Sequence, residues 1–204
     1  MKKRILVSLL FLLSLWVQAG VVGYSTFPLV TKKHMLSASF DSVISSNGGM
    51  GLEARYTQKL NSRMIIDGGL GISGADQSGS KLFFGADYEI MPDYMEQPRV
   101  SAKFNWTNEN QFGFRINRIG VAPTITKGFN FWGKEAYPFV ALPIAIDFNG
   151  ELKTYETVMN LTAGITGQIP LKGYEKFTGN IEMSLNLKDS YSTLSFGVTL
   201  PASF

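Results

Sequence analysis

Few residues in this chain could support catalysis. The chain contains one histidine, His34, and no cysteine. A serine or aspartate nucleophile activated by histidine would therefore have to be built around that single imidazole. The surrounding pattern puts His34 at the start of a predicted strand, where a solvated histidine needs no catalytic explanation. The sequence therefore predicts no enzymatic activity and no catalytic residue.

Metal binding has no better support in the spacing of ligand-type residues. Zinc sites use clusters of cysteine and histidine, and calcium loops place acids at closely alternating positions. Asp87 and Glu89 are two residues apart, but no further acid follows at the alternate positions, and the other acids are scattered along the chain. We therefore expect no metal and no cofactor.

The charged residues with an informative spacing are pairs two residues apart, such as Glu53 with Arg55. Residues two apart on a strand share one face. Mixed charges in a narrow interior pair with each other, because a lone charge away from water is costly. The set predicted to line the inside of a barrel, with Arg99 placed at its rim, is Asp41, Glu53, Arg55, Asp67, Asp87, Glu89, Lys103, Arg115, Asp147 and Glu182.

Strands must position this set, because the polar residues alternate with apolar ones from residue 33 onwards. The fourth segment, for example, sets Leu82, Phe84 and Ala86 against Phe83, Gly85 and Asp87, which is the two-residue period of a strand. Turn-forming runs such as Asn47-Gly48-Gly49 separate the segments. Segments near 33–43, 50–57, 63–73, 81–91, 99–107, 112–125, 137–149, 157–169, 176–187 and 191–204 predict an all-β fold of about ten strands, with eight as an alternative.

The sixth segment departs from a single alternation. Its apolar residues begin on the parity of Phe112, Phe114 and Ile116 and continue on that of Ile119 and Val121. A one-residue slip would turn the wrong side chains outward, so the pattern predicts a β-bulge near residues 117–118. The bulge would direct Arg118 inward.

The first 19 residues have the form of a secretory signal peptide. Lys2, Lys3 and Arg4 precede an apolar run from residue 5 to 17, and Ala19 supplies the small residue for cleavage. Without those three cations the 19 basic residues become 16, equal to the 16 acidic residues, so we expect no nucleic-acid binding. Residues 20–32 show no clean period and are predicted to form a periplasmic leader, with the barrel spanning 33–204.

The last strand carries the most specific pattern. Phe196, Val198, Leu200 and the terminal Phe204 fall on one parity, opposite small or polar residues. A closing strand that ends on an aromatic residue resembles the C-terminal signal of Gram-negative outer-membrane β-barrels, and the chain from 33 to 204 resembles the small membrane domains of the OmpA and OmpX type. The resemblance implies an antiparallel up-and-down transmembrane barrel in the outer membrane, a monomer in contact with outer-membrane lipid. It also implies insertion with the help of periplasmic chaperones and the barrel-assembly machinery.

Fold alone does not give function, and three hypotheses remain from the residues. The first is a non-enzymatic barrel with a structural or surface-interaction role and a largely closed polar lumen, since Phe83 and Phe139 also have the inward parity. The second is a narrow porin or channel for small solutes. The third is a soluble, lipocalin-like periplasmic barrel, whose apolar parity would point inward. Alternation alone does not separate the membrane barrel from the soluble one.

Overall fold

The computed structural model describes residues 33–45, 49–74, 79–111, 114–131, 133–174 and 176–202. The predicted signal peptide, the predicted leader and Phe204 lie outside these described residues. No helix in the described part of the chain is long and apolar enough to cross a membrane.

The described residues form twelve strands, in agreement with the two-residue period of the sequence. Their bounds are β1 His34–Val43, β2 Gly49–Lys59, β3 Met64–Gly74, β4 Gly79–Met91, β5 Arg99–Gln111, β6 Phe114–Thr126, β7 Phe129–Phe131, β8 Lys134–Ala141, β9 Ile144–Asn149, β10 Thr154–Gln168, β11 Thr178–Lys188 and β12 Thr193–Pro201.

The strands close into a barrel of ten strand positions. Strands β1 to β6 pair antiparallel in chain order, as do β10 to β12, and β1 pairs with β12 from Met35↔Pro201 to Val43↔Thr193, so that the sheet closes on itself. Strands β8 and β9 both lie between β6 and β10, so together they occupy one position, while β7 pairs with β8 alone. The predicted fold class, an all-β antiparallel up-and-down barrel with ten strands, is confirmed.

The two faces of the barrel have opposite polarity. Among the described residues, 27 polar or charged residues and nine hydrophobic residues are buried, whereas 35 large hydrophobic residues are exposed. Along β4, for example, Leu82 and Phe84 are about half exposed, whereas Lys81 and Phe83 are buried. An apolar exterior around a polar interior is typical of transmembrane barrels, and it is the reverse of what the soluble alternative requires.

The bulge predicted near residues 117–118 is wrong. The pairing of β5 with β6 runs without a shift from Arg99↔Thr126 to Gln111↔Phe114. Register shifts occur instead between Glu89 and Met91 on β4 and between Met159 and Asn160 on β10. Phe114 has the inward parity, but it is the first residue of β6 and lies at one open end of the barrel, where it is 39% exposed. Its apolar side chain therefore reflects an open mouth of the barrel rather than a change of face.

Two prolines explain why one strand position is divided in two. Pro123 of β6 faces Leu142, and Leu142 donates its backbone N–H to the Pro123 carbonyl at 3.0 Å. Pro143 has no N–H to donate, so the ladder is interrupted between β8 and β9. The register against β6 is the same on both sides of the gap, as in Ile125↔Val140 and Val121↔Ile144.

The barrel has two distinct ends. The terminal end holds residues 33 and 202 and the connections 60–63, 92–98, 127–133 and 169–177. At the far end, β1 joins β2, β3 joins β4, β5 joins β6, β9 joins β10 and β11 joins β12, through 5, 4, 2, 4 and 4 residues respectively. The longer connections therefore lie at the terminal end, a departure from the long external loops usual in bacterial barrels.

Candidate functional site

The inward side chains of β2 to β6 and β9 form a wall of paired charges, here called the charged wall. On β2, Glu53 and Arg55 are neighbours on one face, and Arg55 Nη2 donates to Glu53 Oε1 at 2.6 Å. Lys81 of β4 donates to the other oxygen, Glu53 Oε2, at 2.9 Å. These three side chains are 2–5% exposed, so each depends on charged partners in the protein rather than on water.

Lys81 reaches Glu53 because a glycine separates them. In the sheet, Glu53 of β2 faces Gly71 of β3, and Gly71 faces Lys81 of β4. A Cβ atom at Gly71 would lie 3.5 Å from Lys81 Cβ and 3.7 Å from its Cδ. The Lys81 stem therefore crosses β3 over a position that has no side chain.

A related, diagonal arrangement occurs one strand further along, where Lys103 pairs in register with Asp87 and not with the glycine it crosses. Asp67 of β3 faces Gly85 of β4, and Lys103 of β5 reaches over this glycine to Asp67 Oδ1 at 3.0 Å. A Cβ at Gly85 would lie 2.6 Å from Asp67 Oδ1 and 2.9 Å from Lys103 Cε. Arg55 adds a contact of 3.4 Å to Asp67, so one chain of ion pairs runs over β2, β3, β4 and β5.

An aromatic ring fills the centre of the charged wall. Phe83 lies beside Gly69, and a Cβ at Gly69 would be 2.6 Å from Phe83 Cζ. Arg55 Cζ lies 4.8 Å and Lys81 Nζ 5.1 Å from the centre of the Phe83 ring, within the range of cation–π attraction. The ring therefore occupies volume and also contacts two of the paired cations.

Two further clusters complete the charged wall. Arg99 Nη2 donates to Asp87 Oδ2 at 2.6 Å, and its Nε donates to Glu89 Oε2 at 2.8 Å. Arg118 of β6 makes a two-pronged contact with Asp147 of β9, from Nε to Oδ1 and from Nη2 to Oδ2, both at 2.6 Å. Such bidentate pairs are the stronger form of ion pair. Glu109 lies 3.9 Å from Arg118.

The opposite side of the interior, formed by β10 to β12 and β1, is here called the hydroxyl wall. Its inward residues are mostly Thr, Ser and Asn, and their polar groups bond to immediate neighbours. Ser37 and Thr199 are 2.8 Å apart across the closing strands. Thr162 lies 3.0 Å and Asn160 3.1 Å from the Ser184 hydroxyl.

An aromatic ring also packs against a glycine of the hydroxyl wall. Phe139 of β8 faces Gly164 of β10 and is 3% exposed. A Cβ at Gly164 would lie 2.6 Å from Phe139 Cζ, so the ring takes the place of a side chain there. The two inward phenylalanines predicted from parity are therefore both buried inside the barrel.

The structure places most of the predicted interior set inside the barrel. Asp41, Glu53, Arg55, Asp67, Asp87, Lys103 and Glu182 are buried, and Glu89 and Asp147 are partly buried. Asp41 accepts a hydrogen bond from Ser195 on the neighbouring strand. Arg115 is the exception, because it has the outward parity of β6 and is exposed at the far end.

Three interior charges were missed or misplaced by the sequence prediction. Lys81 and Glu109 have the parity of Phe83 and Lys103 respectively, so alternation contains the signal that would have found them. Arg99 was predicted at the rim but is 4% exposed and bonded to Asp87 and Glu89. The predicted assembly residues Phe196, Val198 and Leu200 face outward on β12, 41–45% exposed, and Phe204 lies outside the described residues.

The single histidine of the chain contacts a tyrosine. His34 Nδ1 lies 2.6 Å from the Tyr56 hydroxyl at the terminal end, and the two rings stack. No cluster of three or more His, Cys, Asp or Glu side chains in the described ranges could hold a metal ion.

Comparisons with known proteins give only distant matches. No family model matches the chain, and no curated protein matches it. Among solved structures, the chain is similar to Ail, the attachment invasion locus protein of Yersinia pestis, in complex with the heparin analogue sucrose octasulfate. That match has 8% identity and a TM-score of 0.29, and it covers 81% of this chain and 93% of Ail. A second structure of Ail has 9% identity and a TM-score of 0.25 over the same shares. The fold assignment follows from the strand pairing described above.

Proposed function

We propose that the chain is a non-enzymatic outer-membrane β-barrel protein with a structural or surface-interaction role and a closed interior. The observation that carries this proposal is the exposure of the inward side chains. A continuous water-filled channel would leave them in contact with water, whereas Thr162, Glu182 and Arg55 are 0%, 2% and 5% exposed. Side chains fill the interior of a barrel with few strands.

The outer face supports placement in a membrane. Aliphatic and aromatic side chains cover it on consecutive strands, as in the cross-strand neighbours Phe40 and Phe196 or Leu36 and Leu200. Closure between β1 and β12 pairs the first and last strands, so neither presents an open edge to hydrocarbon, which a lipid-exposed sheet requires. On this proposal the chain is a monomer surrounded by outer-membrane lipid, and its insertion depends on the assembly machinery of that membrane.

On this proposal, the parts of the protein that can bind a soluble partner are its two ends. The outer face contacts lipid and the interior is occupied by its own side chains, so neither is available to a soluble solute. Only the connections at the terminal and far ends face water. A surface interaction would therefore take place there.

Conductance in a planar bilayer tests the closed interior. The purified mature chain is expected to give no steady conductance. Replacing Arg55 and Arg118 together with Ala removes partners of Glu53, Asp67 and Asp147 and is expected to give intermittent currents or a less stable barrel. Replacement of the exposed Arg115 with Ala is the matched control and should leave the silent baseline unchanged.

The opposite result would favour another function. A stable conductance of the unmodified protein, comparable to that of a general porin, would refute the closed interior and favour the channel hypothesis. Recovery of the protein from the soluble periplasm without detergent would refute the membrane placement and favour the soluble barrel.

A further inference from the structure

The two ends of the barrel differ in charge. Among the described residues, the far end carries three cations and three acids, all exposed: Arg115, Lys153, Lys188, Glu151, Glu156 and Asp189. The terminal end carries seven cations and three acids: Lys33, Lys59, Arg63, Lys127, Lys134, Lys172, Lys176, Asp93, Glu96 and Glu135. By sequence, Glu175 adds a fourth acid to the connection 169–177, so the terminal end has seven cations against four acids and is positively charged, although the predicted mature chain as a whole has no net charge.

Only one of the seven terminal-end cations has its charge balanced within the described structure. Lys127 Nζ bonds to Asp93 at 2.5 Å and to the Gln97 carbonyl at 3.2 Å. Slight burial would raise the pKa of Asp93, but hydrogen bonds from Lys127 and from the Gly128 N–H outweigh it and hold that pKa below its ordinary value. The pair stays ionised at neutral pH and neutralises itself. The other six cations form no ion pair with another described residue.

Apolar side chains are interleaved with these cations. In the connections of the terminal end, Tyr94 is 65% exposed, Met95 78%, Leu171 60% and Tyr174 53%. A soluble polyanion would bind the cations but would leave these side chains in water. The boundary between headgroups and acyl chains of a bilayer accommodates both kinds of group.

An apolar groove on the outer face runs up to the same end. It has a volume of about 580 Å³, and Lys134 and Glu135 are among the residues that line it. Its floor is shallow because Ala136, Gly167 and Gly179 are adjacent across three strands, and Ile165, Ile181 and Phe196 are among its walls. Next to the groove, the connection from β10 to β11 carries Lys172 and Lys176.

We propose that the terminal end binds anionic phospholipid, with the phosphate against Lys134, Lys172 and Lys176 and an acyl chain in the groove over Gly167 and Gly179. Cations near a surface of anionic lipid are attracted in a salt-dependent way. The groove supplies an apolar surface for the chain at the place where the cations meet the headgroup. This inference rests on the proposed membrane placement.

Thermal unfolding in mixed micelles tests the proposal. The mature chain is folded in an uncharged detergent, and phosphatidylglycerol or phosphatidylcholine with the same acyl chains is added. Phosphatidylglycerol is expected to raise the unfolding temperature more than phosphatidylcholine does, and salt should reduce the difference. The difference should be largely lost in the triple variant K134Q/K172Q/K176Q and kept in the far-end variant R115Q/K153Q/K188Q.

A second pair of variants tests the groove. A Cβ at Gly179 would lie 3.4 Å from Ile169 Cγ1, an ordinary contact, so Gly179→Leu should fold and fill the groove. It is expected to reduce the stabilisation by phosphatidylglycerol. Ala38→Leu fills a second outer groove of about 570 Å³, lined by Ala54 and Gly68, and should leave the stabilisation unchanged. If the triple lysine variant does not fold, K172Q/K176Q, which changes only a connection, replaces it.

Several outcomes would overturn the inference. Equal stabilisation by the two lipids, or equal loss in the terminal-end and far-end variants, would remove the charge argument. Equal stabilisation by dextran sulfate would identify a general polyanion surface instead of a lipid site. An unchanged response of Gly179→Leu would remove the groove. Each of these results leaves membrane fractionation unaffected, so they are distinguishable from failure of the proposed placement.

Discussion

The charged wall and the hydroxyl wall fill the same interior in different ways. In the charged wall, long side chains cross a neighbouring strand to reach a partner, as Lys81 reaches Glu53 over Gly71. In the hydroxyl wall, short side chains bond to the adjacent strand, as Ser37 does to Thr199. Burial of polar groups costs free energy unless they are paired. Each lysine that crosses a strand in the charged wall passes over a glycine, because a side chain at that position would block its path.

The largest difference between the walls should follow from removing one member of the ion-pair chain. Arg55→Met leaves Glu53 and Asp67 buried without one of their cations, and loss of one partner of a buried pair costs about 3–5 kcal/mol. Denaturant unfolding of the refolded barrel measures the effect. Arg115→Met is the matched control, since Arg115 is exposed and should change the free energy of unfolding by less than about 0.5 kcal/mol. Equal effects of the two variants would contradict a network centred on Arg55.

A smaller effect is expected from adding one methyl group under a crossing side chain. At Gly85 a Cβ would lie 2.6 Å from Asp67 Oδ1, so Gly85→Ala must displace a paired side chain, with an overpacking cost of about 1–3 kcal/mol. At Gly197 of the hydroxyl wall a Cβ would meet Ser39 Cβ at 3.5 Å, an ordinary contact. Gly197→Ala should therefore be close to neutral in the same unfolding assay. The comparison between the walls fails if the order of the two variants is reversed.

The smallest effect is expected within the hydroxyl wall itself. Thr162→Val removes a hydroxyl that lies 3.0 Å from Ser184 Oγ, and a neutral hydrogen bond contributes about 0.5–1.5 kcal/mol. Ser184 keeps its bond from Asn160, which limits the loss. The measurement is again denaturant unfolding. A loss as large as that of Arg55→Met would show that the two walls are not energetically distinct.

Much of the barrel could be predicted from sequence because a two-residue period is a local signal. Parity alone separated Glu53 and Arg55 from Leu52 and Ala54, and the structure has the same separation. Parity was misleading only where a strand runs past the enclosed part of the barrel. Phe114 is the example. At the open end of the barrel an inward side chain is still exposed, so an apolar residue can occupy the inward parity there.

The partners inside the barrel could not be predicted, because they depend on register between strands. Gly71 and Gly85 read as ordinary strand glycines in the sequence. The pairing places Gly71 between Glu53 and Lys81, and the side chain of Lys103 passes over Gly85 to Asp67. Glu109 is absent from the predicted set because the fifth segment is predicted to end at residue 107, whereas β5 continues to Gln111. Lys81, the other absent charge, has the inward parity of Phe83. Arg99 was misplaced because its position at the first residue of β5 suggested a rim.

The closing pair of strands has a consequence for the order of folding. The bond between Ser37 and Thr199 joins residues 162 positions apart in the chain, whereas the other strands pair with near neighbours in sequence. The entropy lost on closing a loop of that length is about 4–5 kcal/mol by the logarithmic scaling of loop closure, and no single contact between β1 and β12 offsets it. We therefore expect the nine residue pairs of this seam to form together and late, after the hairpins, so that its formation limits the folding rate.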